Sequence, residues 1–303
     1  MPAASTSSAM MAAPEATIGA AIARGTDSLR RAGSPSPRLD AEVLLAHLVG
    51  RDRTWLLAHA DDSVADPDAY DALLARRATG EPVAYIRGFK EWGALRIRTD
   101  PRALIPRPET ELLAEAAIAE IARRMTRDDA SIVAWEVATG SGAVTVALAL
   151  RFQEALALGR LRLIASDLSP DALELAAENL AAHGVERLVD LALADLLEPA
   201  GSALPRPDVI VANLPYVASE EVDARRGSLG FEPRIALDGG PDGLALLRPM
   251  LAGLASHAAP SGTAFLEIGV GQAEAIRSLA PTGASVSMVP DLAGLDRVVR
   301  VDL

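Results

Sequence analysis

Ile132-Val133-Ala134-Trp135-Glu136-Val137-Ala138-Thr139-Gly140-Ser141-Gly142-Ala143 is the stretch whose reading decides the fold of this chain. A run of strand character enters a turn with two glycines, and the positions after it, to about Arg151, read as a helix. A strand that passes through a glycine turn into a helix is the opening unit of an open α/β sheet. The alternation then repeats: a strand over Leu161 to Ser166, a helix over Asp171 to Ala182, a strand over Val189 to Leu193 and another over Asp208 to Ala212. A helix from Gly243 to Ala259, a strand from Gly262 to Ile268, a helix from Gln272 to Leu279 and two late strands, Ala284 to Val289 and Arg297 to Val301, complete a doubly wound, Rossmann-like sheet. The last two strands, joined by a short turn-rich segment, are expected to pair antiparallel at one edge.

Glycines in the first turn allow a ligand to approach the helix N-terminus, whose free N–H groups favour a carboxylate or phosphate. The second strand ends at Ser166-Asp167-Leu168-Ser169, about 25 residues on, where an acidic side chain can accept both hydroxyls of a ribose. The purely structural reading gives Asp167 a turn and Ser169 a helix cap, with Pro170 at the first helical position. Asp195-Leu196, at the end of the third strand, suits an adenine as well as it suits an ordinary loop. These signals alone do not separate a nicotinamide-dinucleotide site from an S-adenosylmethionine site.

The separating feature follows the fourth strand, where Asp208-Val209-Ile210-Val211-Ala212 runs into Asn213-Leu214-Pro215-Tyr216. An amide side chain, a fixed backbone bend and a ring meet there at one strand tip, on the sheet edge that carries the glycine turn and Asp167. The structural alternative is a plain turn at a strand end. Together the three groups suit a planar amide or amine nitrogen awaiting a methyl group. An amide nitrogen is a poor nucleophile because its lone pair is delocalised, so the site must orient it. The Asn213 side-chain oxygen and the Leu214 carbonyl can accept its two N–H bonds, with Tyr216 packed on its plane. Each such bond contributes about 1 kcal/mol net, whereas alignment in a near-attack pose contributes roughly 7 to 11 kcal/mol. Neither a metal nor a histidine base is needed.

Ahead of this region, Ala16 to about Gly80 carries apolar residues at helical spacing, as in Leu29, Ala41-Val43-Leu44-Leu45-Leu48 and Trp55-Leu56-Leu57, and reads as several short helices. Residues 81–106 change character: Tyr85 to Phe89 and Leu95 to Arg98 look like strands around Trp92-Gly93, a β-hairpin linker. Pro108 at a first helical position, with Glu109 and Glu111 in the first turn, opens a helix to about Arg124 in a unit spanning 107–303. Residues 1–15 are rich in Ala, Ser and Met and are expected to be a disordered extension, and Met10 or Met11 is an alternative start.

At 303 residues the chain suits two domains. Its net charge of −12 opposes duplex DNA or RNA as substrate. It has no cysteine, which excludes disulfides, thiolate catalysis and thiolate-bound zinc. The four histidines show no ligand spacing. No apolar window of about 18 residues predicts a membrane span.

With these residues in view, the chain resembles the class I N5-glutamine methyltransferases of the PrmC/HemK family. The most specific pieces are Pro82-Val83-Ala84-Tyr85-Ile86-Arg87-Gly88, Leu104-Ile105-Pro106-Arg107-Pro108-Glu109-Thr110-Glu111, the Asn213 tetrad, Phe231-Glu232-Pro233 and Leu237-Asp238-Gly239-Gly240-Pro241-Asp242-Gly243-Leu244. The resemblance implies methyl transfer from S-adenosyl-L-methionine, leaving S-adenosyl-L-homocysteine, to the glutamine of the Gly-Gly-Gln motif in peptide chain release factors. It implies a helical domain over 16–80 that helps bind the release factor, a cytoplasmic location, and neither membrane nor direct nucleic-acid contact, and the chain is expected to act as a monomer. Carried over, Ala138, Thr139, Gly140, Ser141 and Gly142 would wrap the methionine part of the cofactor, Asp167 its ribose and Leu196 its adenine. Asn213, Leu214, Pro215 and Tyr216 would receive the glutamine, with Asn213 and Tyr216 catalytic and Asn213 also touching the cofactor.

Three departures stand out. Ala138 replaces the first glycine of the usual turn, which is harmless at negative φ but costs roughly 1 to 2 kcal/mol in a left-handed conformation. Glu136 replaces an aspartate. Leu214 replaces a proline, yet because it precedes Pro215 it remains biased toward an extended backbone, so activity is expected to persist. The alternatives are a ribosomal-protein glutamine methyltransferase, which the Ile105 to Thr110 stretch disfavours; an adenine N6 amino-methyltransferase, which the net charge disfavours; an inactive cofactor-binding module; and, more remotely, a nicotinamide-dependent oxidoreductase.

Overall fold

A computed structural model describes residues 17–126, 131–199, 204–225 and 227–303. The extension expected over 1–15 lies outside them. The chain divides into two compact units between Arg87 and Gly88, within the stretch read from sequence as a linker.

The first unit is helical: α1 (Ile18–Arg31), α2 (Pro37–Val49), α3 (Arg53–Ala58), α4 (Pro67–Ala78) and α5 (Val83–Arg87). Capping side chains set the starts, since Thr17, Asp52 and Asp66 each accept a backbone N–H three residues on. Gly50 closes α2 in the left-handed conformation. Leu29, Leu44, Leu45, Leu56 and Tyr70 fill the core. The Tyr70 hydroxyl donates to the Ala41 carbonyl at 3.0 Å, and Arg77 pairs with Asp40 at 2.8 Å, both buried. One expectation fails here. Tyr85 to Arg87 is helix, not strand: Ile86 N–H donates back to the Pro82 carbonyl at 3.0 Å, and Ile86 joins the helical core. A short apolar run carries no periodicity that separates the two states.

The second unit opens with the hairpin β1 (Phe89–Trp92) and β2 (Leu95–Arg98), registered Phe89 to Arg98 and Trp92 to Leu95. Its two-residue loop places Gly93 at φ +53°, the conformation such a turn demands of its first central residue. Trp92 and Ile97 are buried in the core of the second unit, so the hairpin belongs to that unit. Helix α6 (Thr110–Met125) follows, starting two residues after Pro108.

The sheet comprises β3 (Ile132–Val137), β4 (Leu161–Asp167), β5 (Val189–Asp195), β6 (Glu198–Pro199), β7 (Val209–Asn213), β8 (Thr263–Glu267), β9 (Ser285–Pro290) and β10 (Asp296–Asp302). Their order is β6-β5-β4-β3-β7-β8-β10-β9. The five central strands pair parallel. β10 runs antiparallel between β8 and β9, which gives the expected antiparallel edge. β6, two residues long, carries no sequence signal. Between the strands lie α7 (Ala143–Arg151), α8 (Gln153–Ala157), α9 (Pro170–Ala182), α10 (Ser219–Ala224), α11 (Leu247–His257) and α12 (Ala273–Leu279). α11 starts four residues later than expected, because Gly243 sits at φ +73° in a turn.

Side-chain alternation sorts the strands into two faces. Ala134, Leu163, Val209, Val211 and Phe265 share one core with residues of α6 and α7. Trp135, Ile164, Ile210, Ala212 and Leu266 share the other with residues of α11 and α12. The chain winds outward from β3 to β5 and then returns to β7 on the other side of β3. The carboxyl ends of β3 and β7 therefore flank the topological switch point, where open α/β sheets bind ligands.

Candidate active site

A cleft at that switch point encloses about 1030 Å³ of empty space, open solvent at its mouth included. It is lined by Ala138, Thr139, Gly140 and Ser141 after β3, Asp167 at the end of β4, Asp195 and Leu196 at the end of β5, and Asn213, Leu214 and Pro215 at the end of β7. Four separate strand ends thus deliver the residues expected from sequence to one place. Two expected residues stand off the cleft. Gly142 caps α7 at φ +78°, where an added Cβ would lie 3.0 Å from the Ala176 Cβ. Tyr216 lines an adjoining cavity that shares Leu104, Arg107, Asn213, Leu214, Pro215 and Ala236 with the cleft.

Backbone bonds and buried carboxylates shape the glycine turn. Thr139 N–H donates to the Ser166 carbonyl at 2.9 Å. Asp167 accepts Gly140 N–H and Ser169 N–H, each at 2.9 Å, and so ties the ends of β3 and β4 together. Ser169 also caps α9 through Ala172 N–H, so the capping reading and the ligand-side placement hold together. Buried Asn179 donates to the Ser141 carbonyl at 2.8 Å. Burial raises the Asp167 pKa against these backbone donors.

Ala138 adopts φ +57°, so the harmless case does not apply. An alanine there costs roughly 1 to 2 kcal/mol relative to a relaxed backbone. Ala138→Gly is expected to stabilise the protein by about 1 kcal/mol, raising Tm by roughly 2 to 4 °C. A thermal melt checks this, and an unchanged or lower Tm would deny the strain. Leu196 is also left-handed, at φ +51°, a feature no sequence pattern announced.

Glu136 lies buried beneath the turn and accepts hydroxyl protons from Thr139, at 3.0 Å, and Thr145. Its pKa is pushed up to about 7, chiefly by burial, with the nearby Asp167 charge adding to the rise. Folded Glu136 therefore holds its proton at pH values where the unfolded chain has lost it. The stability this confers is present below about pH 4.5 and disappears as pH rises to about 7, on the order of 3 kcal/mol in all. Melts of wild type and Glu136→Gln across that window are expected to show the variant gaining relative stability as pH rises. A difference that does not change with pH would contradict the assignment.

Around Asn213, the backbone is held from several directions. Leu214 is 1% exposed and anchors in the apolar core, while its carbonyl accepts no hydrogen bond among the described residues. The Tyr216 carbonyl accepts from Gln272 Nε2 at 3.2 Å. Gly243 lies so close behind it that an added Cβ would stand 2.3 Å from the Tyr216 carbonyl oxygen. Asn213 Nδ2 donates to Thr110 Oγ1 at 3.1 Å, and the Tyr216 hydroxyl donates to Glu267 Oε1 at 3.3 Å. Burial first, and the Glu267 charge second, push the Tyr216 pKa up to about 12.

Other residues at the site carried no assigned role in the sequence reading. Leu104, Pro106, Arg107 and Thr110 line the cleft. Glu232, 2% exposed, pins that segment by accepting Ile105 N–H at 3.0 Å and Arg107 Nη2 at 2.6 Å. Glu267, 1% exposed, lies beside Asn213 across the β7–β8 pairing. A carboxylate closing an apolar strand, as in Phe265-Leu266-Glu267, was the available signal.

Residues 20–88 match the PrmC N-terminal domain. The release factor glutamine methyltransferase of Bordetella pertussis is 40% identical over 266 residues, covering 86% of this chain and 93% of that protein. The release factor glutamine methyltransferase of Koribacter versatilis is 37% identical over 280 residues, covering 89% and 93%. A solved protein-(glutamine-N5) methyltransferase (release factor-specific) from Alicyclobacillus acidocaldarius is 29% identical, covers 68% of this chain and 98% of that chain, and superposes with a TM-score of 0.38.

Proposed function

Because this chain belongs to the release factor glutamine methyltransferase family, we propose that it methylates the side-chain amide nitrogen of the Gly-Gly-Gln glutamine in peptide chain release factors, with S-adenosyl-L-methionine as donor. The observation that carries the proposal is the state of the tetrad. Asn213 has its amide N–H engaged by Thr110, while Asn213 Oδ1 and the Leu214 carbonyl accept nothing among the described residues. Two free acceptors on consecutive residues match in number the two N–H bonds of a primary amide.

The cleft suits the donor on its own chemistry. Asp167 is an acceptor-only carboxylate where a ribose diol would need one, and Leu196 and Leu246 offer apolar wall to a purine. Ala138, Thr139, Gly140 and Ser141 would hold the amino-acid end against a turn braced by Glu136, and Gly142 would keep that turn close to α9. When bound, the sulfonium supplies an already activated methyl group and leaves as a neutral thioether. The chain's own contribution is positional. Asn213 Oδ1 and the Leu214 carbonyl fix the plane of the acceptor amide, Pro215 fixes the bend between Leu214 and Tyr216, and Tyr216, held by Glu267, flanks the acceptor cavity. The nitrogen forms its new bond to carbon and sheds one N–H proton to solvent, so no protein base is required. Positioning of this kind can supply roughly 7 to 11 kcal/mol of the barrier.

The helical unit over 16–80 is assigned to release-factor binding, and 107–303 to catalysis. No helix among the described residues is long and apolar enough to cross a membrane; the cytoplasm, where release factors act, is the proposed compartment, and a monomer the proposed working form. The test is labelled-methyl transfer to a purified release factor and to the same factor with its Gly-Gly-Gln glutamine replaced by alanine. Label in the first alone is expected; label in both, or in neither, would overturn the proposal.

A further inference from the structure

A peptide that offers a primary amide to the tetrad brings main-chain carbonyls with it, and the tetrad has nothing to give them. Asn213 Oδ1 and the Leu214 carbonyl are both acceptors. The cavity beside them holds about 730 Å³ of empty space, open solvent included, and its wall is largely apolar, with Pro215, Val217, Val222, Leu229 and Leu237 among its side chains. A carbonyl drawn out of water against such a wall is penalised unless it finds a donor. The cavity therefore needs an N–H or O–H group of its own.

Arg107 and Arg225 both line it, and they differ. Arg107 is committed, since its Nη2 donates to the buried Glu232 carboxylate at 2.6 Å. Arg225, at the C-terminal cap of α10, is not: its Nη1 is sealed from solvent yet has no hydrogen-bond partner among the described residues. Carboxylates close to it in the chain are taken, because Arg234 pairs with Asp223 and, at 2.8 Å, with Asp238. The platform that carries Arg225 is fixed relative to the tetrad. Val222 is buried, Ser219 N–H donates to the Gly240 carbonyl at 2.9 Å, and the Ser219 hydroxyl donates to Asp238 at 2.6 Å. Val217, directly after the tetrad, exchanges backbone bonds with the same segment, donating to the Leu237 carbonyl at 3.1 Å and accepting Gly239 N–H at 2.8 Å. A buried donor of a charged group left without an acceptor is costly, and an acceptor that enters with the substrate removes that cost.

We propose that Arg225 is a substrate-binding residue, donating a charge-assisted hydrogen bond to a main-chain carbonyl of the release factor's Gly-Gly-Gln loop. The proposal deepens the glutamine-methyltransferase reading and rests on it. A main-chain target suits this substrate, because two glycines carry no side chain that would hold the backbone away from the wall. The tetrad's acceptors take the amide N–H bonds and Arg225 supplies the donor that the same loop lacks.

The test is steady-state methyl transfer to full-length release factor, with cofactor affinity by calorimetry and Tm read in parallel. Arg225→Met keeps the apolar stem and removes the donor. It is expected to raise KM for release factor about 10- to 100-fold, the scale of one hydrogen bond to a charged group, while kcat and cofactor affinity stay within about twofold. Tm is expected to hold or rise, since an unpaired buried group has been removed. Arg225→Lys keeps the charge without the planar fork and is expected to recover only part of the loss. The ratio of the Arg225→Met and wild-type KM values is expected to persist in about 0.5 M salt, where attraction between exposed charges is screened. A wild-type KM in Arg225→Met, as solvation of Nη1 by water alone predicts, would overturn the proposal. So would a loss confined to kcat, or one that salt or Arg225→Lys abolishes, as long-range charge attraction predicts. Failure of wild type to methylate the glutamine would instead remove the reading beneath it.

Discussion

Replacing Asn213 with alanine is expected to slow methyl transfer by roughly 10² to 10³-fold, the scale seen when one preorganised hydrogen-bonding group is removed from a reacting centre, while cofactor affinity stays within about twofold. Asn213 stands at the end of β7, at the boundary of the cleft and the adjoining cavity. Its backbone is fixed by strand pairing to β8, and the following Leu214 is locked in the core. The substitution therefore removes one acceptor without moving the wall around it. The remaining acceptor, the Leu214 carbonyl, leaves the substrate amide free to rotate about one hydrogen bond. The effect belongs in the chemical step more than in release-factor binding, so kcat should fall further than KM rises. Transfer by Asn213→Ala at the wild-type rate would remove the amide grip from the account.

Asp167→Ala is expected to weaken cofactor binding by roughly 100-fold or more, since hydrogen bonds to a charged acceptor contribute about 1.5 to 3 kcal/mol each. The same carboxylate that would take the ribose hydroxyls also accepts Gly140 N–H and Ser169 N–H, so its loss disturbs the turn as well as the ligand. Asp167→Asn is the milder change. It keeps one acceptor but turns an amide NH2 toward the second of the two backbone N–H groups, so Tm should fall less than in Asp167→Ala while affinity still falls. Calorimetry with S-adenosyl-L-homocysteine reads the affinity. Undiminished binding by Asp167→Ala would move the ribose elsewhere in the cleft.

The parts of this site that were legible in the sequence share one property: their meaning is local. Ala138 to Ser141, Asp167, Leu196 and Asn213 to Pro215 each lie at or just past the carboxyl end of a strand, and the rule that parallel strands present those ends together was enough to assemble them, while Gly142 and Tyr216 stand off the cleft. Even so, the sign of φ at Ala138 was not legible, because alanine prefers negative φ and only the closing of the turn forces +57°. Val83 to Arg87 misled for a related reason, since whether Ile86 lies in helix or strand is settled by the core it enters.

What could not be read were the residues whose partners are distant in the chain. Glu232 reaches Ile105 across 127 positions. The Asn213–Thr110 bond spans 103, and the Tyr216–Glu267 bond 51. Phe231-Glu232-Pro233 and Ile105-Pro106-Arg107-Pro108-Glu109-Thr110 were each conspicuous, yet nothing in either indicated that a buried carboxylate in one pins the backbone of the other. Such pairings follow from the sheet order, which brings the start of α6 over β7 and β8.

The most direct test of the account is tandem mass analysis of the Gly-Gly-Gln peptide from release factor incubated with this protein and S-adenosyl-L-methionine. One methyl group on the glutamine side-chain nitrogen is the predicted result. An unmodified glutamine in a release factor methylated elsewhere, or not at all, would contradict it.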